Sequence, residues 1–112
     1  MKKIILALAV LMTTQFATAG NVTPVTKITN VFTYGDSAVI KIANKHGNEY
    51  ECTYSKADEY LFLDLTSESS KTIYSAILSA FVSGSLARIA YNDCVDWGST
   101  TLSNIYRVDM MK

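Results

Sequence analysis

A single amphipathic helix, set between two groups of strand-like segments, constrains this chain more than any other feature. Ile73, Tyr74, Ile77, Ala80 and Phe81 fall at i, i+1, i+4, i+7 and i+8, which is one apolar face of an α-helix. Ser67-Glu68-Ser69-Ser70 precedes them, with small hydroxyls for capping and a carboxylate near the positive end of the helix dipole. Gly84 stands where a left-handed glycine ends a helix. The expected helix covers about residues 70–83, and its apolar face needs a sheet or barrel to cover it.

The flanking segments supply that sheet. Val25 to Thr33 is rich in β-branched residues, Tyr34-Gly35-Asp36 forms a turn, and Ala38, Ile40 and Ile42 alternate with Val39 and Lys41 at a period of two. Asn44 to Asn48 reads as a polar hairpin loop in which Gly47 is free to take a positive φ. Tyr50 to Tyr54 and Tyr60 to Leu65 read as strands, broken by Lys56 to Glu59. After the helix come a strand over Leu86 to Tyr91, a polar loop over Asn92 to Thr100, and a last strand over Leu102 to Val108. Three or four strands, one helix and two strands is the order of a mainly β (α+β) fold, a small five- to six-stranded OB-like Greek-key barrel with the helix between strands three and four. The alternative is another α+β fold with the helix on an open antiparallel sheet.

Residues 1–19 bear on where the domain works. Lys2 and Lys3 precede the apolar run Ile4 to Met12, and Ala17-Thr18-Ala19 is a small-x-small cleavage site. This is the plan of a cleaved secretory signal, too short to span a bilayer, which takes about 20 apolar residues. The reading leaves one domain over residues 20–112, exported to the periplasm or beyond the cell. With Lys2 and Lys3 removed from the 10 Lys and Arg, 8 remain against 10 Asp and Glu, a net charge of −2. A weakly acidic surface without a basic run argues against binding nucleic acid or anionic lipid, and no second apolar stretch is long enough for a membrane helix, so no membrane insertion is expected. In an oxidising compartment the two cysteines, Cys52 and Cys94, are expected to form one disulfide. Two cysteines and one distant histidine lack the ligand spacing of a metal site, so no metal and no cofactor are expected.

The C-terminal third also carries a resemblance. Arg88-Ile89-Ala90-Tyr91 follows the helix, then Cys94-Val95-Asp96-Trp97, then a strand with Asn104-Ile105 that ends in Val108-Asp109-Met110. Over Ile73 to Met110 this resembles the B subunits of secreted bacterial AB toxins, of the cholera and heat-labile enterotoxin type. Ser83 to Tyr91 (SGSLARIAY) is similar to a stretch of subtilase-type B subunits. The resemblance implies an exported OB-fold that assembles as a homo-pentamer and binds cell-surface glycans. The chain departs from the cholera type in two places. Cys52 lies mid-chain instead of near the mature N-terminus, and Gly98, Ser99 and Thr100 follow Trp97 where that family has amide and lysine side chains.

Trp97 is the sole tryptophan, and its ring face can stack on a sugar. With Tyr34 at a loop tip and Ser99 and Thr100 beside the tryptophan, it makes up the candidate ligand-binding set. Packing over the end of the barrel is the competing role for Trp97, and strand preference alone accounts for most of the seven tyrosines. His46, the only histidine, reads as an exposed loop residue without an orienting partner. Glu49, Glu51, Asp58 and Glu59 read as a solvated face, with Glu49 and Glu51 on one side of a strand, in preference to a glycosidase pair. With no nucleophile elbow, phosphate-binding loop or HExxH motif, no catalytic residue is expected. The expectation is an exported, non-enzymatic binding module that takes a glycan. The alternative is a stand-alone periplasmic or extracellular accessory protein that recognises another protein.

Overall fold

The N-terminal part of the described chain closes the sheet on itself. The computed structural model describes residues 21–111, and the expected export signal lies outside them. Within that range the elements are β1 (Asn21–Val22), β2 (Ile28–Thr33), β3 (Ser37–Ile42), β4 (Tyr60–Asp64), α1 (Glu68–Ser83), β5 (Ala87–Trp97) and β6 (Thr100–Met110). They form one mixed sheet in the order β1-β5-β6-β4-β3-β2. Its two edges, β1 and β2, are neighbours in sequence. Residues 21–26 pair with β5 through Asn21↔Tyr91, Val22↔Ala90 and the bridge Thr26↔Ala87. Residues 28–33 pair with β3. One stretch thus serves both edges, and the sheet rolls into a barrel. The β2-β3-β4 meander is antiparallel, β4 lies parallel to β6, and β5 and β6 form a long hairpin. This is the OB-like arrangement expected from the element order.

Alternation sorts the side chains. Ala38, Ile40 and Ile42 of β3, Leu61 and Leu63 of β4, and Ile89 and Tyr91 of β5 point inward and are buried. The helix closes one end of the barrel by adding Ile77 and Ala80 to that core, with Ile73 and Tyr74 packed against it. Fully burying a side chain such as Ile77 is worth about 1.5–3 kcal/mol, more than the helix gains from local propensity. Ser67 caps the helix by accepting the Ser70 N–H at 3.1 Å, and Gly84 ends it at φ 69° with its N–H bonded to the Ala80 carbonyl. The expected helix is therefore present, beginning two residues earlier.

Three expected elements differ. Tyr50 to Tyr54 is no strand. Asn48 and Glu51 take left-handed φ values of 49° and 56°, and the Asn48 side chain accepts the Cys52 N–H at 3.1 Å, which turns the chain out of any ladder. Gly47 is not among the residues of positive φ. Instead a Cβ at Gly47 would fall on the Glu49 carboxylate. The expected polar loop over Asn92 to Thr100 is mostly strand. β5 runs on to Trp97, and the turn shrinks to Gly98-Ser99, with Gly98 at φ 63°. Glycine at the first of two turn residues suits a tight hairpin. Register shifts at Ala90/Tyr91 and Asn92/Cys94 break the alternation, so this strand shows no period of two.

Candidate functional site

The long connection over residues 43–59 packs against both buried clusters, with Tyr50 touching each and Cys52 and Ala57 belonging to the second. Cys52 and Cys94 form a disulfide across 42 residues of sequence, fastening this connection to β5. A reciprocal pair of bonds holds it to the start of β6: the Thr53 N–H donates to Thr101 Oγ1 at 2.8 Å and the Thr101 N–H to Thr53 Oγ1 at 2.9 Å. At its inner side His46 lies 4.5 Å from the Tyr91 ring and is 4% exposed, which corrects the expectation of an exposed loop histidine. Its Nδ1 accepts the Asn48 N–H at 3.0 Å, and Nε2 lies 3.5 Å from the Tyr60 carbonyl, which fixes the neutral Nε2–H form. Burial holds its pKa below the ordinary value, against the opposing pull of the Tyr60 and Ala57 backbone and of Glu49 and Asp58. The Tyr91 hydroxyl donates to Glu49. Burial first, and that carboxylate second, hold the phenol well above its usual range. Glu49 is therefore engaged as an acceptor at the barrel mouth and does not share a strand face with Glu51. Lys45 lies 4.0 Å from Asp58.

The outward positions of β3, β4 and the β5–β6 hairpin make a different surface. Trp97 projects from the end of β5 and meets Tyr54 edge to face at 5.1 Å. Tyr54 meets Tyr60 in the same way at 5.5 Å, and Tyr60 lies 6.4 Å from Phe32. Lys41 Nζ stands 6.0 Å above the Tyr60 ring. Four aromatic rings thus form a continuous stripe from β2 to β5. Phe32 is 41% exposed, while the other three are partly buried. Beneath the stripe, Val39, Ala57, Leu102 and Cys52 form a second buried cluster against which Tyr54, Tyr60 and Trp97 pack.

Of the expected ligand-binding set, Trp97 stands at one end of the stripe. Thr100 stabilises its turn, with Oγ1 donating to the Trp97 carbonyl at 3.0 Å, and Ser99 is exposed at the turn itself. Tyr34, 49% exposed, lies in the β2–β3 turn, two residues beyond Phe32. Among the described residues no ring contact joins Tyr34 to the stripe or to Trp97, so the structure does not bring the two together. Sequence reading missed Phe32, Tyr54, Tyr60 and Lys41. The alternation Tyr60, Phe62, Asp64 against Leu61 and Leu63 marked Tyr60 as outward, but Tyr54 sits in irregular backbone without such a marker.

Below the stripe lies a groove of about 460 Å³. Phe62 and Asp64 of β4 and Asn104 and Tyr106 of β6 line it, with Val95 and Ile105 at its base and Ser69, Ser70 and Ile73 of the helix along one side. It lies beside the parallel pair β4/β6, whose register position is Phe62↔Asn104. Asp64 accepts the Thr66 N–H at 2.9 Å, and this bond, with a second from the Thr66 hydroxyl, holds its carboxyl below the usual pKa. Asn104 donates one amide hydrogen to Asn92 at 3.2 Å. Among the described residues no group of three His, Cys, Asp or Glu is placed to hold a metal ion, and no helix is long and apolar enough to cross a membrane. No family model, no curated protein and no solved structure matches the chain.

Proposed function

We propose that this protein is an exported, non-enzymatic binding module that takes a glycan on its outer aromatic face. The observation that carries the reading is the stripe Phe32–Tyr60–Tyr54–Trp97 with Lys41 beside it. An OB barrel uses this face, over its second and third strands, for oligosaccharides and single-stranded nucleic acids. The net charge of −2 that residues 20–112 carry disfavours a polyanion, which leaves the sugar. The aliphatic faces of sugar rings pack on aromatic rings, and rings held in advance by the disulfide-fastened loop lose little freedom on binding. Export fits the same picture, since the disulfide needs an oxidising compartment.

A glycan array read with wild type and with folded Trp97→Ala tests the reading. Expected is a family of bound oligosaccharides whose signal falls at least tenfold in the variant. An array with no binder for the wild type refutes it.

A second reading, recognition of another protein, is favoured by one surface. Val82 is 83% exposed beside Phe81 at 39%, and Leu86 and Met110, at 37% and 46%, lie next to the end of that helix. The homo-pentamer implied by the toxin resemblance would use a surface of this kind. Mass in solution at micromolar concentration decides that point: a strict monomer excludes the pentamer. A protein captured from the envelope fraction, stable to competing sugars, favours the second reading over the first.

A further inference from the structure

The groove beside β4 and β6 continues the aromatic face, and its chemistry is more selective than that of the stripe. We infer that it is a second subsite of the glycan-binding face that accepts an uncharged sugar and rejects an acidic one, with Asp64 as the selecting residue. The inference rests on the carbohydrate reading given above.

Continuity comes from β4. Tyr60, Phe62 and Asp64 point outward at alternate positions. Tyr60 belongs to the stripe, Phe62 packs against the cluster beneath it and also lines the groove, and Asp64 lies at the groove's far end. Four residues of strand span about 13 Å, so a ligand touching both regions is a short oligosaccharide and not a single ring. A groove of about 460 Å³ falls within the range of sites that hold small ligands.

The lining decides the chemistry. Phe62 and Tyr106 offer ring faces, and Ser69 and Ser70 offer hydroxyls. Asp64 accepts from the Thr66 N–H and hydroxyl, and Asn92 takes one hydrogen of Asn104. A carboxylate has about four acceptor sites, so those left on Asp64 accept from sugar hydroxyls, while the remaining amide groups of Asn104 donate and accept. A carboxylate that receives hydroxyl hydrogens makes charge-assisted bonds without needing a charged ligand. No lysine, arginine or histidine lines the groove, and the nearest helix charges, Glu68 and Lys71, pair with each other at 3.7 Å, which leaves Asp64 as the one charge in the lining. A sialic or uronic acid would set its carboxylate against Asp64, and a phosphate would meet the same repulsion. A peptide bound by strand addition needs a free edge, whereas β4 and β6 both lie inside the sheet.

The test is a titration of matched oligosaccharide pairs, one member neutral and galactose-terminated, the other the same chain capped with sialic acid. Wild type, Asp64→Asn, Tyr106→Ala and Trp97→Ala are compared, each first shown to melt cooperatively. Asparagine keeps the oxygen that accepts the Thr66 N–H, so the turn before the helix stays capped. Expected is preference for the neutral member by wild type. Asp64→Asn should weaken the neutral sugar at least tenfold and narrow the gap between the pair. Trp97→Ala should weaken both members alike. Preference of wild type for the acidic member overturns the inference, as does neutral-sugar affinity unchanged within twofold in both Asp64→Asn and Tyr106→Ala. If binding still depends on Trp97 in that last case, the groove is refuted and the stripe stands. Absence of binding to every member refutes both.

Discussion

Replacing Cys52 and Cys94 together by alanine should lower stability by about 4 kcal/mol without changing the fold. The disulfide spans 42 residues, and loop-closure entropy for a ring of that size gives about 4 kcal/mol at 25 °C. The effect acts on the unfolded chain, which gains conformations once the ring is open. In the folded state other contacts still hold the 43–59 connection: the Thr53–Thr101 pair, the Asn48 bonds to Cys52, and His46 against Tyr91. A total stability of about 5–15 kcal/mol, usual for a domain, leaves the variant folded but weakened. For a domain of this size the melting temperature should drop by roughly 16–32 °C. Urea denaturation of oxidised wild type and the double variant, followed by far-ultraviolet circular dichroism, measures the difference. A loss below about 1 kcal/mol would refute the argument, because the ring would then constrain little in the unfolded chain.

Two further predictions follow from the caps and the buried histidine. Gly84→Ala puts a Cβ on a residue at φ 69°, so it should cost about 1–2 kcal/mol in thermal or urea unfolding although nothing crowds the site; no loss would contradict the left-handed cap. His46 has a folded pKa below its ordinary value of 6.5, so the unfolded chain binds its proton first as pH falls. Stability should be full above pH 6.5 and decline as pH drops through that value toward the folded pKa, since the protonated ring would turn a donor toward the Asn48 N–H. His46→Gln should flatten the urea midpoint between about pH 5 and 7. An equal slope in the variant would assign the acid sensitivity elsewhere.

The parts of the fold legible in the sequence were those in which one physical rule acts alone. Ile73, Ile77 and Ala80 face a core and nothing else, so their spacing located the helix, and Ser67 and Gly84 bounded it. Ala38, Ile40 and Ile42 did the same for β3. The cysteine pairing followed from an even count and an oxidising compartment. Legibility failed where two rules compete. In β5 the shifts around Ala90 and Asn92 rotate side chains between faces, and Asn92, Asp93 and Asp96 gave a strand the composition of a loop. His46 stands among polar residues, yet the path of the chain carries it onto Tyr91, a contact 45 positions away that no local pattern encodes. The candidate site divides in the same way. Trp97 was recognisable by its rarity, while Tyr54 joins it only because the disulfide loop folds back over the face.

Trp97 also supplies the most direct measurement, because it is the only tryptophan and its fluorescence reports on the stripe alone. An array-selected oligosaccharide titrated into the wild type should give a saturable change in Trp97 emission. Tyr60→Ala keeps that reporter but removes the middle of the stripe, and should raise the dissociation constant at least tenfold. A ligand that binds with no change in Trp97 emission, and with equal affinity in Tyr60→Ala, would contradict the claim that the outer aromatic face is where this protein binds sugar.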